Sequence, residues 1–94
     1  MTKAIWNDVV LAESEGTVVL QGNHYFPPES VNRKYLDDSQ ETSLCFLKGR
    51  AHFYDIRVGD QHNPAAAWFY PKRWILTRNL KDYVAFGKDI QVVT

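Results

Sequence analysis

Apolar and polar positions alternate along this chain in short bursts, and none lasts long. Trp6 to Ala12 is rich in strand formers but is interrupted by the turn pair Asn7-Asp8. Glu13-Ser14-Glu15-Gly16 has the chemistry of a hairpin turn, with Gly16 available for a positive φ. Thr17 to Leu20 predicts a second strand, and Gln21-Gly22-Asn23 turns the chain into an aromatic strand, His24-Tyr25-Phe26. Pro27-Pro28 stops that strand. Pro28 followed by Glu29 predicts a single helical turn reaching Asn32. Arg33 to Leu36 predicts a return to strand, and Asp37 to Glu41 a polar loop. Further strands are predicted over 43–47, 50–58, 65–70, 83–86 and 90–93, with a short helix over 76–80. Within the 50–58 segment, Ala51 and Phe53 alternate with His52, Tyr54, Ile56 and Val58. Nothing sustains the i, i+3, i+4 apolar stripe of a long helix. The pattern predicts a mainly β domain, with short strands at turn spacing.

Length bounds the architecture. Ninety-four residues support one domain with one modest core, so residues 1–94 are read as a single unit. The formal net charge is zero, which argues against a strongly basic nucleic-acid binder. The total hides a split. Residues 1–47 carry three basic and seven acidic side chains, net −4; residues 48–94 carry eight and four, net +4. If the halves form separate faces, the molecule is a dipole that could self-pair or steer an anionic small molecule toward Lys48. The single cysteine, Cys45, excludes an internal disulfide and a four-cysteine zinc site. The N-terminal residues lack the apolar run of a secretory leader, and no stretch approaches the eighteen apolar residues of a membrane span. A cytoplasmic location without a membrane partner is the expectation.

Candidate chemistry is sparse. None of the five glycines forms a dinucleotide fingerprint or a P-loop. Glu13 and Glu15 have the spacing of a strand-borne acid pair but fall at a predicted turn, and Asp37 and Asp38 are adjacent. Cys45, Lys48 and His24 are the candidates for nucleophile or base, against the plainer reading of Cys45 as a buried thiol. No His or Cys pair has the spacing of a metal knuckle, so no metal site and no cofactor are expected. Thirteen aromatics (three Trp, five Tyr, five Phe) are the outstanding feature. His24-Tyr25-Phe26 and Trp68-Phe69-Tyr70 each end at a proline. In each triplet the outer side chains share a face and the middle one opposes them, so one set can fill a core while the other lines a cleft. His24, Tyr25, Lys48, Tyr54, Trp68 and Tyr70 are the candidate ligand-binding residues.

Four blocks of the chain resemble a widespread small bacterial domain family. His24-Tyr25-Phe26-Pro27-Pro28-Glu29-Ser30-Val31 is similar to its Y-F-P-x-x-x-V segment, and Thr42 to Gly49 to its T-x-C-P-[WY]-K-G block. Ala66-Ala67-Trp68-Phe69-Tyr70-Pro71 resembles A-A-W-x-Y-P, and Tyr83-Val84-Ala85-Phe86 resembles Y-V-A-F. The family is a domain of unknown function that also carries a nucleotidyltransferase label. Phe46 and Leu47 depart from its pattern, standing where it has Pro and then Trp or Tyr. The resemblance implies a compact β-tent-like fold of two small antiparallel sheets with one or two short helical turns. With one cysteine, that fold would be zinc-free here. Relatives of that fold bind small ligands in an aromatic cage, for which Trp68 and Tyr70 are the candidates. The nucleotidyltransferase label finds no Gly-Ser pair and no D-x-D in this chain.

These readings lead to a small domain that binds a small ligand or a partner in an aromatic-lined cleft. The rivals are a nucleotidyltransferase, as the label suggests, and a module that self-associates into a homodimer through exposed strand edges.

Overall fold

The structure is a computed structural model that describes residues 1–87 and 89–94. β1 (Thr2–Trp6) and β2 (Val9–Ser14) pair antiparallel, and β9 (Gln91–Val93) pairs with the other side of β1. The β1–β2 turn is Asn7-Asp8, with φ of 50° and 63°. A two-residue turn that follows strand twist needs positive φ at both positions, and short polar side chains tolerate it. The hairpin expected around Glu13 to Gly16 does not form. β2 runs on to Ser14, whose Oγ accepts the Gly16 N–H at 2.8 Å, and Gly16 stays out of the left-handed region. The next strand, β3 (Val18–Leu20), pairs with β4 (Asn23–Tyr25) across Gln21-Gly22, at φ 52° and 82°.

Pro28–Ser30 is the expected helical turn, of 3-10 type, with Ser30 Oγ donating to the Pro27 carbonyl at 2.7 Å. The strand expected over Arg33 to Leu36 is instead a second 3-10 turn, Arg33–Tyr35. Arg33 and Lys34 carry no apolar alternation to bury, and the Asn32 N–H is already tied to the Leu11 carbonyl at 2.8 Å.

The largest sheet has the order β5-β6-β7-β8, formed by Leu36–Cys45, Gly49–Val58, Gln61–Phe69 and Val84–Phe86. The acidic stretch Asp37 to Glu41, expected as a loop, lies inside β5. β5 is an edge strand, so only one of its sides must find partners and its polar side chains can stay in water. A register shift between Asp38 and Thr42 takes up the intervening residues. Charge on that edge also discourages pairing with another chain. Asp37 and Arg57 pair across the ladder at 2.9 and 3.2 Å. The helix expected over 76–80 is only a run of turns. Its hydrogen bonding is diverted: Thr77 Oγ1 donates to the Lys48 carbonyl at 3.0 Å, and the Leu76 N–H to the Leu47 carbonyl at 2.9 Å.

The expected mainly β chain, with small antiparallel sheets and two short helical turns, is what forms. Hydrogen bonding divides the described strands into three sheets. Phe26 and Val84 exchange backbone bonds at 2.8 and 2.9 Å, which places the β3–β4 hairpin beside β8. Two layers result. Leu11, Phe26, Ile56 and Val84, all fully buried, fill the space between them. A second cluster, Tyr25, Ala51, Tyr70, Leu80 and Ala85, covers the opposite face of the large sheet. Among the described residues no helix is long and apolar enough to cross a membrane.

Candidate functional site

The candidate site is built on that second face. Strand period puts Ala51 and Phe53 of β6 on one side and His52 and Tyr54 on the other. Antiparallel pairing sets Phe53 opposite Trp68 of β7, with ring centroids 6.2 Å apart. Tyr70 follows at the strand end, and its ring lies 6.3 Å from that of Tyr25 on β4. Trp68 Nε1 donates to the Tyr25 hydroxyl at 3.2 Å. Gly87 makes room for the indole: a Cβ there would stand 3.0 Å from the Trp68 ring. These aromatics, with Asn23, Ser43, Lys48 and Ala51, line a cleft of about 190 Å³.

The cleft lining carries one cation. Lys48 sits in the β5–β6 turn, and its Nζ donates to Gln21 Oε1 at 2.7 Å. That turn is held from behind by Thr77, which is fully buried and binds the Lys48 carbonyl. Replacing Thr77 with valine is expected to cost about 1–3 kcal/mol, because it leaves that carbonyl without its donor. A urea-denaturation midpoint equal to that of the parent chain would show that the clamp contributes nothing.

Burial drives the Tyr70 hydroxyl well above the usual tyrosine range, and the neighbouring Tyr25 and Cys45 push the same way. Tyr70 therefore stays a neutral donor at the floor of the cleft. Cys45 closes β5 just before the turn. The Leu47 and Lys48 backbone N–H groups point at its sulfur and hold the thiol below its usual value of 9.0, with the Lys48 charge assisting. The pH profile of alkylation should therefore have a lower midpoint for the folded chain than for the same chain unfolded in urea. Coincident midpoints would remove the perturbation.

Tyr25, Lys48, Trp68 and Tyr70 thus converge. His24 and Tyr54 do not join them. His24 faces away from Tyr25 and pairs through Nδ1 with the Thr17 hydroxyl at 3.2 Å. Tyr54 stacks on Phe69 at 4.9 Å on the far face, and Arg33 donates to its hydroxyl at 2.8 Å. Asn23, Ser43, Ala51 and Phe53 were not among the candidates. The alternation that separates Phe53 from Tyr54 was the signal for two of them. Among the described residues, no three His, Cys, Asp or Glu side chains are grouped to hold a metal ion.

A family model matches the chain over residues 1–94, its full span. The chain belongs to the family described as Domain of unknown function (DUF427). The family's name, NTP_transf_9, carries a nucleotidyltransferase label, as the sequence blocks implied. No curated protein matches the chain. Three of the four blocks of this DUF427 member supply Tyr25, Lys48, Trp68 and Tyr70, so the resemblance and the cleft lining overlap at these four residues.

Proposed function

We propose that the aromatic cleft binds a small planar anion, such as a monocyclic aromatic carboxylate or phosphate. The observation that carries this reading is the convergence of Tyr25, Phe53, Trp68 and Tyr70 beside a single cationic side chain, Lys48. Aromatic walls receive a flat ring, and Lys48 with the neutral Tyr70 hydroxyl favours a negatively charged substituent. Size supports a small ligand. About 190 Å³ is roughly six waters' worth of liquid and lies below the ~300 Å³ at which drug-sized pockets begin.

The nucleotidyltransferase reading draws on the family name alone. Two-metal phosphoryl transfer needs converging carboxylates, and the cleft lining contains none. We therefore favour binding over catalysis for this cleft.

The test is a thermal-shift screen of single-ring aromatic carboxylates and phosphates, followed by titration of any hit. Lys48→Gln is expected to weaken binding about ten- to a hundredfold while the fold stays intact, as expected for a lost charge-assisted hydrogen bond. Absence of any shift across the panel would defeat the reading. So would a hit whose affinity is indifferent to both Lys48→Gln and Trp68→Ala.

A further inference from the structure

The end of the molecule beyond Lys48 has chemistry that the cleft does not use. The β5–β6 turn exposes Phe46 at 87% and, just before it, Leu44 at 70%. Beside them stands the loop of residues 71–80. Its ends meet through the Tyr70–Lys81 bridge, and it exposes Ile75 at 57% and Trp74 at 49%. The two segments are clamped together, since Trp74 Nε1 donates to the Phe46 carbonyl at 2.8 Å. Their apolar tips are therefore held outward by fixed backbone. Exposed apolar groups gathered in one place mark an interaction surface.

The surroundings of this tip are cationic. Leu44 and Trp74 share a cleft of about 230 Å³ with Arg50, His52 and Lys72. Arg73 and Arg78 flank the other side of Trp74. No carboxylate lines either cleft. The ion pairs among the described residues are Lys3–Glu13, Arg57–Asp37 and Lys81–Asp82, so none of Arg50, Lys72, Arg73 and Arg78 is neutralised by a carboxylate. The face also points away from the aromatic cleft, because Leu44, Arg50 and His52 alternate with Ser43, Ala51 and Phe53 along their strands.

We propose that this end docks on an anionic lipid surface. Phe46, Leu44, Ile75 and Trp74 enter the interfacial region while Arg50, Lys72, Arg73 and Arg78 meet headgroup phosphates. The shape favours a bilayer over a helix bound in a groove, because the most exposed side chains protrude. The mixture favours lipid over single-stranded nucleic acid: leucine and isoleucine give no stacking surface to bases but do enter hydrocarbon. A second copy placed symmetrically on the same face would bring like charges together. A basic collar around apolar tips is the combination that anionic membranes retain. No spanning helix is needed for such attachment.

The experiment is co-sedimentation of the chain with vesicles of phosphatidylcholine alone and of an equimolar mixture with phosphatidylserine. Binding to the mixed vesicles only is expected. Lys72→Gln with Arg78→Gln should weaken it about thirtyfold, from two charges near the surface. Phe46→Ser with Ile75→Ser should weaken it by at least about tenfold at an unchanged melting temperature. Failure to sediment with mixed vesicles overturns the proposal. Full retention by the Phe46/Ile75 double variant also overturns it, leaving surface adsorption by charge alone. A mass that rises with concentration and reverts in that variant reassigns the face to self-association. Binding of a single-stranded oligonucleotide in place of vesicles reassigns it to nucleic acid.

Discussion

Replacing Phe26 with alanine is expected to lower the melting temperature on the order of 15–30 °C, from ~3–5 kcal/mol of lost packing in a domain of this size. The side chain is fully buried and meets Phe86 edge to face at 5.6 Å. Its backbone also closes the bridge to Val84, the link between the β3–β4 hairpin and the large sheet. Truncation leaves a ring-sized void where the two layers and the hairpin meet. Few neighbours can collapse into it, since Leu11, Ile56 and Val84 belong to hydrogen-bonded strands and are themselves fully buried. Small domains hold ~5–15 kcal/mol in total, so the loss is a large share. Phe26→Leu keeps much of the volume and should recover most of the melting temperature. Calorimetric melts of both variants check this. If alanine and leucine melt together, close to the parent chain, the junction is not where the layers are held.

The cleft was legible in the sequence only in part, and the division follows strand geometry. Period two within a strand is local information. It separated Tyr25 from Phe26 and Trp68 from Phe69, and those pairs do divide between the cleft side and the inter-layer core. The same rule separated Phe53 from Tyr54 but could not say which of them faced Tyr25. That choice depends on the register of β6 against β7 and on the side of the sheet that β4 covers, both set by distant residues. His24 fell out for the same reason.

Turn chemistry was equally divided. Gln21-Gly22 named its hairpin, and Asn7-Asp8 took the positive φ that Gly16 had been expected to supply. The polar stretch from Asp37 to Glu41 reads as loop because strand patterning assumes a buried face, which an edge strand does not need. The loop of residues 71–80 has helix formers in 76–80, yet the Leu76 N–H and the Thr77 hydroxyl are taken up by carbonyls of the neighbouring turn. Tertiary contact overrode local preference there. That same contact fixes Lys48, so the least predictable segment positions the cleft's one cation.

Tyr70 supplies a consequence of the site that needs no ligand to observe. Stability is expected to fall as the pH rises above 10, by up to ~1.4 kcal/mol per pH unit from this residue. The unfolded chain releases the Tyr70 proton near the ordinary value of 10.0, whereas burial holds it on the folded chain to higher pH. Below 10 both states carry the proton and pH has no leverage on this group. Above 10 the unfolded state has lost a proton that the folded state still binds, so alkali favours unfolding. The contribution is gone once the pH has passed the folded value. Cys45 acts in the opposite sense but at lower pH. Its thiol is depressed in the folded chain, so its contribution is complete above 9.0 and lost as the pH falls through the folded value. The two effects therefore occupy separate windows. The informative quantity is a difference between two chains that differ only at the Tyr70 hydroxyl. Urea midpoints measured from pH 9 upward should decline less steeply for Tyr70→Phe than for the parent chain. Parallel declines would mean that the Tyr70 hydroxyl reaches water freely and that burial does not hold its proton on the folded chain.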